Sequence, residues 1–273
     1  MRIPFLKMHG LGNDFVVIDA RVEPLAMSAA RASALADRNT GIGCDQLIVL
    51  EPSERADVKM RIFNPDGSEV GACGNATRAI GLLLAPEHAG HTRIETGGGL
   101  LEAHATNSGI AVDMGAPRFD WDTIPLAYAM DTLAMPLGWE TLENPVAVNV
   151  GNPHAVFFVP DADAVDLARL GPVIENDPVF PERVNVNVAS LIGPDHLRLR
   201  VWERGAGLTR ACGTGACATA IAAMRRKLTG RSVTVELPGG PLRIDWQDSG
   251  TILMTGPATT SFEGAFDDAR YPL

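Results

Sequence analysis

The sequence predicts an α+β protein of two similar domains, related by a pseudo-twofold duplication, each wrapping strands around a central apolar helix. Three observations carry this. "GACGNATRAIG" around Cys73 has a partner in "RACGTGACATA" around Cys212, and the offset, 212 − 73 = 139, is close to half of the 273 residues. The same offset aligns Asn13 with Asn152, Gln46 with Asn185 and Asn64 with Glu203, without gaps. The segments after the two cysteines, "NATRAIGLLLA" and "GACATAIAAMRRKL", are apolar nearly all round. A helix of that kind is covered on several sides.

Each half repeats one order of elements. Short apolar strands open it, "RIPFLKMHG" and "FVVID" in the first, "VAVNV" and "HAVFFV" in the second. A helix follows: "SAARASALADR", capped by Ser28, and "DADAVDLARLG", capped by Asp161 or Asp163. Two strands come next, "QLIVLE" and "VKMRIF" against "VNVNVASL" and "HLRLRVW", and then the glycine-rich cysteine turn and its helix. Three alternating strands close each half, "TRIET", "LLEAHAT" and "IAVDM", then "SVTVEL", "LRIDW" and "TILMT". The linker is expected within "GAPRFDWDTIP", and the following "LAYAMDTLAMPLGWETLENP" carries no clear pattern. Two similar halves facing one another would frame a cleft for a small molecule.

Composition excludes several classes. With 46% hydrophobic and 21% charged residues, the chain has an ordinary soluble composition. A formal net charge of −10 argues against nucleic acid, which needs a clustered basic surface. The one basic cluster, Arg225, Arg226 and Lys227, falls at a helix C-terminus, where cations complement the dipole. No apolar run reaches membrane-spanning length, and the N-terminus lacks the apolar core of a signal peptide, so the expected location is cytoplasmic. Four cysteines are too few for a disulfide scaffold, and none forms a Cys-x-x-Cys pair, so no metal site is expected. His88 and His91 read as solvated residues of a polar loop rather than ligands.

A thiol at a helix N-terminus feels the positive end of the dipole and unpaired backbone N–H groups, which lowers its pKa. The neighbouring Gly74 and Gly213 let a ligand approach that backbone, and its N–H groups suit a carboxylate. A nucleophile needs one thiol and a base, and a redox pair is usually close in sequence. Two symmetry-related thiols fit a third role better, acid and base on opposite faces of one carbon. No pyridoxal phosphate site is recognisable, so charge stabilisation would fall to backbone N–H groups and exclusion of water, with no cofactor. A duplicated packing motif would leave the same pattern. Cys44 and Cys217 have no partner at the 139-residue offset and read as core residues.

"HGLGNDFVVID", "GIGCDQL", "FNPDGSEVGACGNATR", "GNPHAVFF", "FPERVNVNV" and "ERGAGLTRACGTGACA" together resemble the diaminopimelate epimerase family. The resemblance implies a cofactor-independent epimerase of lysine and peptidoglycan-precursor synthesis, interconverting LL- and meso-2,6-diaminopimelate with two thiols. It returns residues 262–273 to the first domain, so the domains are 1–116 with 262–273, and 117–261. By the same resemblance Cys73 and Cys212 are the acid/base pair, and His154 and Glu203 tune the thiols. Asn13, Gln46, Asn64, Asn152, Asn185, Glu203 and Arg204 match substrate-binding positions, while Gly74, Asn75, Gly213 and Thr214 surround the reacting carboxylate. Cys44 stands where an aromatic is common, and Thr214 where Ser is frequent. A homodimer is compatible with this reading. The alternative is a related cofactor-independent racemase or epimerase of proline or hydroxyproline type. A phenazine-type isomerase shares the fold without the cysteine pair, and a non-catalytic binding module would not need both thiols.

Overall fold

The structure, a computed structural model, describes residues 1–271. It is α+β, and the chain divides into two compact units, Met1–Val112 with the segment from Gly256 onward, and Asp113–Thr255. Of the segment expected to rejoin the first domain, residues 272 and 273 lie outside the described residues.

In the first unit, strand Arg2–Gly10 pairs antiparallel with Asn13–Asp19 on one edge and with Thr259–Asp267 on the other. Asn13–Asp19 runs parallel to Gln46–Glu51, which pairs antiparallel with Val58–Phe63. Helix α1 (Ala29–Ala36) makes the crossover between the parallel strands. Its N-cap is the expected one, with the Arg31 N–H donating to Ser28 Oγ at 3.1 Å. Replacing Ser28 by Ala should therefore destabilise this unit by about 1 kcal/mol in chemical denaturation. Ala32, Leu35 and Ala36 pack on Val16, Ile18, Leu47, Val49 and Cys44, so Cys44 is a core residue; burial pushes its thiol up to about 11. Helix α2 (Gly74–Leu84) packs against Arg2–Gly10, His91–Thr96 and Gly99–Thr106.

The second unit repeats the plan. Val146–Asn149 pairs antiparallel with Pro153–Phe158, which runs parallel to Asn185–Gly193, and that strand pairs antiparallel with His196–Glu203. Helix α3 (Leu167–Glu175) makes the crossover. It starts later than its aspartates suggested, and its N-cap is Asp166 rather than Asp161 or Asp163. The Asp163 carboxylate instead accepts from Arg198 Nε at 3.1 Å, and Asp161 accepts from the Asp163 N–H at 2.9 Å. Helix α4 (Gly213–Arg225) is buried along its length except at Thr214 and Arg225. It packs against six strands of its unit, from Val146–Asn149 to Gly240–Trp246, which is why no polar face was visible in its sequence. The unpatterned segment contains a short hairpin, Gly138–Trp139 with Leu142–Glu143, and sends Leu126, Met135 and Leu142 into the core around α3.

Candidate active site

Cys73 and Cys212 are the N-cap residues of α2 and α4. In each case the backbone N–H three residues on points at the sulfur: Ala76 N to Cys73 Sγ at 3.5 Å, and Gly215 N to Cys212 Sγ at 3.3 Å. An N-cap side chain in extended backbone replaces the missing intrahelical partner of the first turn. At Gly215 a Cβ would lie 3.2 Å from Cys212 Sγ and 3.0 Å from Val201 Cγ2, so the close approach of helix and thiol requires glycine there.

Within the first unit, Asn13, Gln46 and Asn64 lie at one end of the sheet. Asn13 and Gln46 begin adjacent parallel strands, and Asn64 follows the strand paired with the second of them. Asn75, in the first turn of α2, donates to Asn13 Oδ1 at 3.0 Å, and Asn13 donates to Asp45 Oδ2 at 3.1 Å. Gln46 donates to Asn64 Oδ1 at 3.5 Å, and Asn64 to Ser68 Oγ at 3.1 Å.

The second unit holds the equivalent residues with a different chemistry. Asn185 pairs with His154, Val186 with Trp202, and Asn185 Oδ1 accepts from the Arg204 N–H at 2.9 Å. These pairings match Gln46 with Phe15, and Leu47 with Phe63, each shifted by the same 139 residues. The duplication is thus one of strand register as well as of sequence. His154 is fully buried between Asn152 Oδ1, 2.9 Å from Nε2, and Asn187 Oδ1, 3.2 Å from Nδ1. Burial, with the Arg204 cation nearby, lowers its pKa to about 4, so the imidazole is neutral at physiological pH. Arg204 Nη1 donates to the Glu182 carbonyl at 2.9 Å, and Thr209 donates its hydroxyl proton to Glu203.

A lowered thiol pKa was expected at both caps, and Cys212 corrects that expectation. Its pKa is raised well above the ordinary thiol value, first by burial and then by the Glu203 carboxylate. The Thr214 hydroxyl, 3.5 Å away, and the Gly215 N–H pull the other way and do not prevail. Helix-terminus dipoles act over one turn, whereas desolvation of a thiolate acts from every side.

The sequence matches diaminopimelate epimerase over residues 5–119 and 146–261, a span that includes both cysteine caps. The chain belongs to the diaminopimelate epimerase family. A diaminopimelate epimerase of Erythrobacter litoralis is 65% identical over 99% of this chain and 100% of its own length. That of Zymomonas mobilis is 57% identical over 99% and 100%. Among solved structures, a Bacillus anthracis phenazine biosynthesis protein of the PhzF family shares the fold with a TM-score of 0.71, at 19% identity, covering 98% of this chain and 99% of that one. A hydroxyproline epimerase of Agrobacterium vitis with bound trans-4-hydroxy-L-proline has a TM-score of 0.64 at 17% identity, over 99% and 94%. Among the described residues, no helix is long and apolar enough to cross a membrane.

Two residues of this family member went unnoticed in the sequence. Asn187, fully buried, accepts from or faces His154 through Oδ1 while its Nδ2 donates to the Gly215 carbonyl and Thr219 Oγ1, both at 3.0 Å. It ties the imidazole to the first turn of α4. Glu175, buried at the end of α3, accepts from Trp202 Nε1 at 2.7 Å, the Gly205 N–H at 2.9 Å and Arg183 Nη1 at 3.3 Å. Its carboxylate therefore grips the chain on both sides of Glu203 and Arg204. A polar residue inside "VNVNVASL", at a position where the strand faces the core, was the available signal for Asn187. Glu175 lies 27 residues from Trp202, and no local pattern links them.

Proposed function

We propose that this chain interconverts LL- and meso-2,6-diaminopimelate, without a cofactor, with Cys73 and Cys212 as the acid/base pair. The observation that carries the reading is the twin cap, one sulfur per unit held against the backbone N–H three residues on. Inversion at an α-carbon requires a base on one face and an acid on the other. The raised pKa of Cys212 keeps it as the thiol, ready to deliver a proton. In the direction that starts from this form, Cys73 as thiolate takes the α-proton and Cys212 gives one to the opposite face. The enzyme finishes with the two protonation states exchanged, ready for the reverse direction.

The backbone N–H groups about Gly74, Asn75, Gly213 and Thr214 would hold the carboxylate on the reacting carbon and the negative charge that develops there. Asn13, Gln46, Asn64, Asn152, Asn185, Glu203 and Arg204 would bind the rest of the substrate. Neutral amides, one cation and one anion suit a molecule carrying an ammonium and a carboxylate at each end. His154 would act on Cys212 through Asn187 and the first turn of α4, and Glu203 directly through its charge. The family's place in lysine and peptidoglycan-precursor synthesis points to the cytoplasm, and a homodimer is compatible with the reading. Relatives named diaminopimelate epimerase at 57–65% identity do not favour a proline or hydroxyproline substrate.

Purified protein in deuterated buffer should incorporate deuterium at the α-carbon of diaminopimelate and leave proline and hydroxyproline unlabelled. Labelling of proline without diaminopimelate would sink the substrate assignment. Glu203→Gln tests the thiol electrostatics. Removing the charge lets the Cys212 pKa fall, although burial keeps it above the ordinary value. Iodoacetamide should then alkylate Cys212 faster at a fixed mildly alkaline pH, as read by peptide mass; an unchanged or slower rate would contradict the Coulomb argument.

A further inference from the structure

The structure places a second set of potential ligands on the hairpin that follows helix α2. Strands His91–Thr96 and Gly99–Thr106 form a hairpin with His91 opposite His104 and Arg93 opposite Glu102. The preceding pair is hydrogen-bonded, Ala105 N to the Gly90 carbonyl at 2.7 Å. Alternation then makes His91 and His104 a non-hydrogen-bonded pair, the kind that brings side chains nearest. Their rings stack with centroids 4.2 Å apart and planes 11° from parallel. Thr92 and Ala103 turn inward, leaving His91, His104 and Glu102 together on the outer face. His91 is thus a strand residue with a cross-strand partner, not the loop residue its local sequence suggested.

Both Nε2 atoms lie near one carboxylate oxygen: Glu102 Oε2 is 3.7 Å from His91 Nε2 and 3.8 Å from His104 Nε2. One ligand atom from each residue lies within 4.8 Å of the others. Arg93, the cross-strand neighbour that could neutralise Glu102, turns to Asp57, with Nη2 3.6 Å from Oδ1. Glu102 is therefore left facing two imidazoles, each with its Nε2 near the same carboxylate oxygen.

We propose that His91, Glu102 and His104 form a surface site for a late first-row divalent cation such as Zn2+, Co2+ or Ni2+. Two imidazoles and a carboxylate suit these ions, whereas Mg2+ and Ca2+ call for oxygen ligands throughout. Bonds of 2.0–2.2 Å in a tetrahedral shell put neighbouring ligand atoms about 3.3 Å apart. To reach that spacing the two exposed rings turn out of their stack, so that both Nε2 atoms face one ion beside Glu102. Water completes the shell, and the bound ion clamps the two strands at the end of the hairpin away from its Gly97–Gly98 turn. The site is independent of the epimerase reading, since it shares no residue with it.

Zn2+ titrated calorimetrically into the chelator-stripped full chain tests this, in a Cys73→Ser, Cys212→Ser background that removes the competing thiols. One equivalent should bind, and His91→Asn or His104→Asn should each weaken binding by about tenfold or more, with Glu102→Gln weakening it less. The Co2+ adduct should show d–d bands without a thiolate charge-transfer band. No stoichiometric binding, or affinity untouched by His104→Asn, would overturn the proposal. Circular dichroism of each variant separates ligand loss from misfolding, and the His variants in the native-cysteine chain should retain full epimerase activity.

Discussion

Epimerisation of diaminopimelate is expected to collapse in Cys73→Ala and in Cys212→Ala, with kcat/KM falling by about a thousandfold or more in each. Each variant retains one thiol of the proposed pair, and a lone thiol can only take a proton and return it to the same face. The decisive measurement is stereochemical: LL-diaminopimelate incubated in deuterated buffer, with the meso product resolved chromatographically. Slow α-deuteration with retained configuration would fit a lone remaining thiol. Full epimerisation by either variant would end the two-thiol reading, because the missing acid or base would have been dispensable. Both side chains are small, and Ala at an N-cap forfeits weak sulfur contacts such as those with the backbone N–H groups and, at Cys212, the Thr214 hydroxyl. Loss of activity through unfolding is therefore separable by circular dichroism.

Glu175→Gln should damage the protein from a distance. The native carboxylate accepts three donors, from Trp202, Gly205 and Arg183. A carboxamide has one acceptor oxygen, and its NH2 must face either the Trp202 indole or the Gly205 amide, setting donor against donor. One buried unsatisfied donor costs about 1–3 kcal/mol, which chemical denaturation would read directly. The turn bearing Glu203 and Arg204 loses an anchor at the same time. Trp202 is itself tightly placed, since a Cβ at Gly171 would lie 2.4 Å from its Cγ. A displacement of about 1 Å at substrate-binding groups can cost up to a hundredfold in rate, so kcat/KM should fall by about ten- to a hundredfold. Two readouts identify positioning rather than general weakening: KM rising more than kcat falls, and an upfield shift of the Trp202 indole proton by NMR. Native stability, kinetics and indole shift together would show that the carboxylate charge is not needed.

The fold was legible wherever local pattern and long-range structure coincide. Helix α4 is apolar all round because strands cover it, and the 139-residue repeat survives as identical register among the central strands of each unit, Asn13–Asp19, Gln46–Glu51 and Val58–Phe63 in the first. Legibility failed where partners decide. Nothing local ranks Asp161, Asp163 and Asp166 as caps; Arg198, a strand residue, takes Asp163 and leaves the helix to begin later. Residues 126–145 lacked a period because they pack their apolar side chains from a short hairpin and irregular chain. At the site, the amides and thiols could be named from motifs. The direction of the Cys212 shift could not, because it depends on how completely the thiol is enclosed.

The repeat also carries a division of labour. Where the first unit places Phe15, Ala36, Ile48 and Phe63, the second, 139 residues on, places His154, Glu175, Asn187 and Trp202. At these four positions the first copy has only hydrocarbon, whereas the second has polar groups that hydrogen-bond around His154 and the turn bearing Glu203 and Arg204. A protein assembled from two copies of the first half would present both sulfurs and lack the Glu203 carboxylate and Arg204 guanidinium, the groups proposed to tell one end of a symmetric-looking diamino diacid from the other. On the proposed reading that specialisation supplies the orientation, and at these four positions a substitution in the second copy strands hydrogen-bonding groups where one in the first would only open a gap.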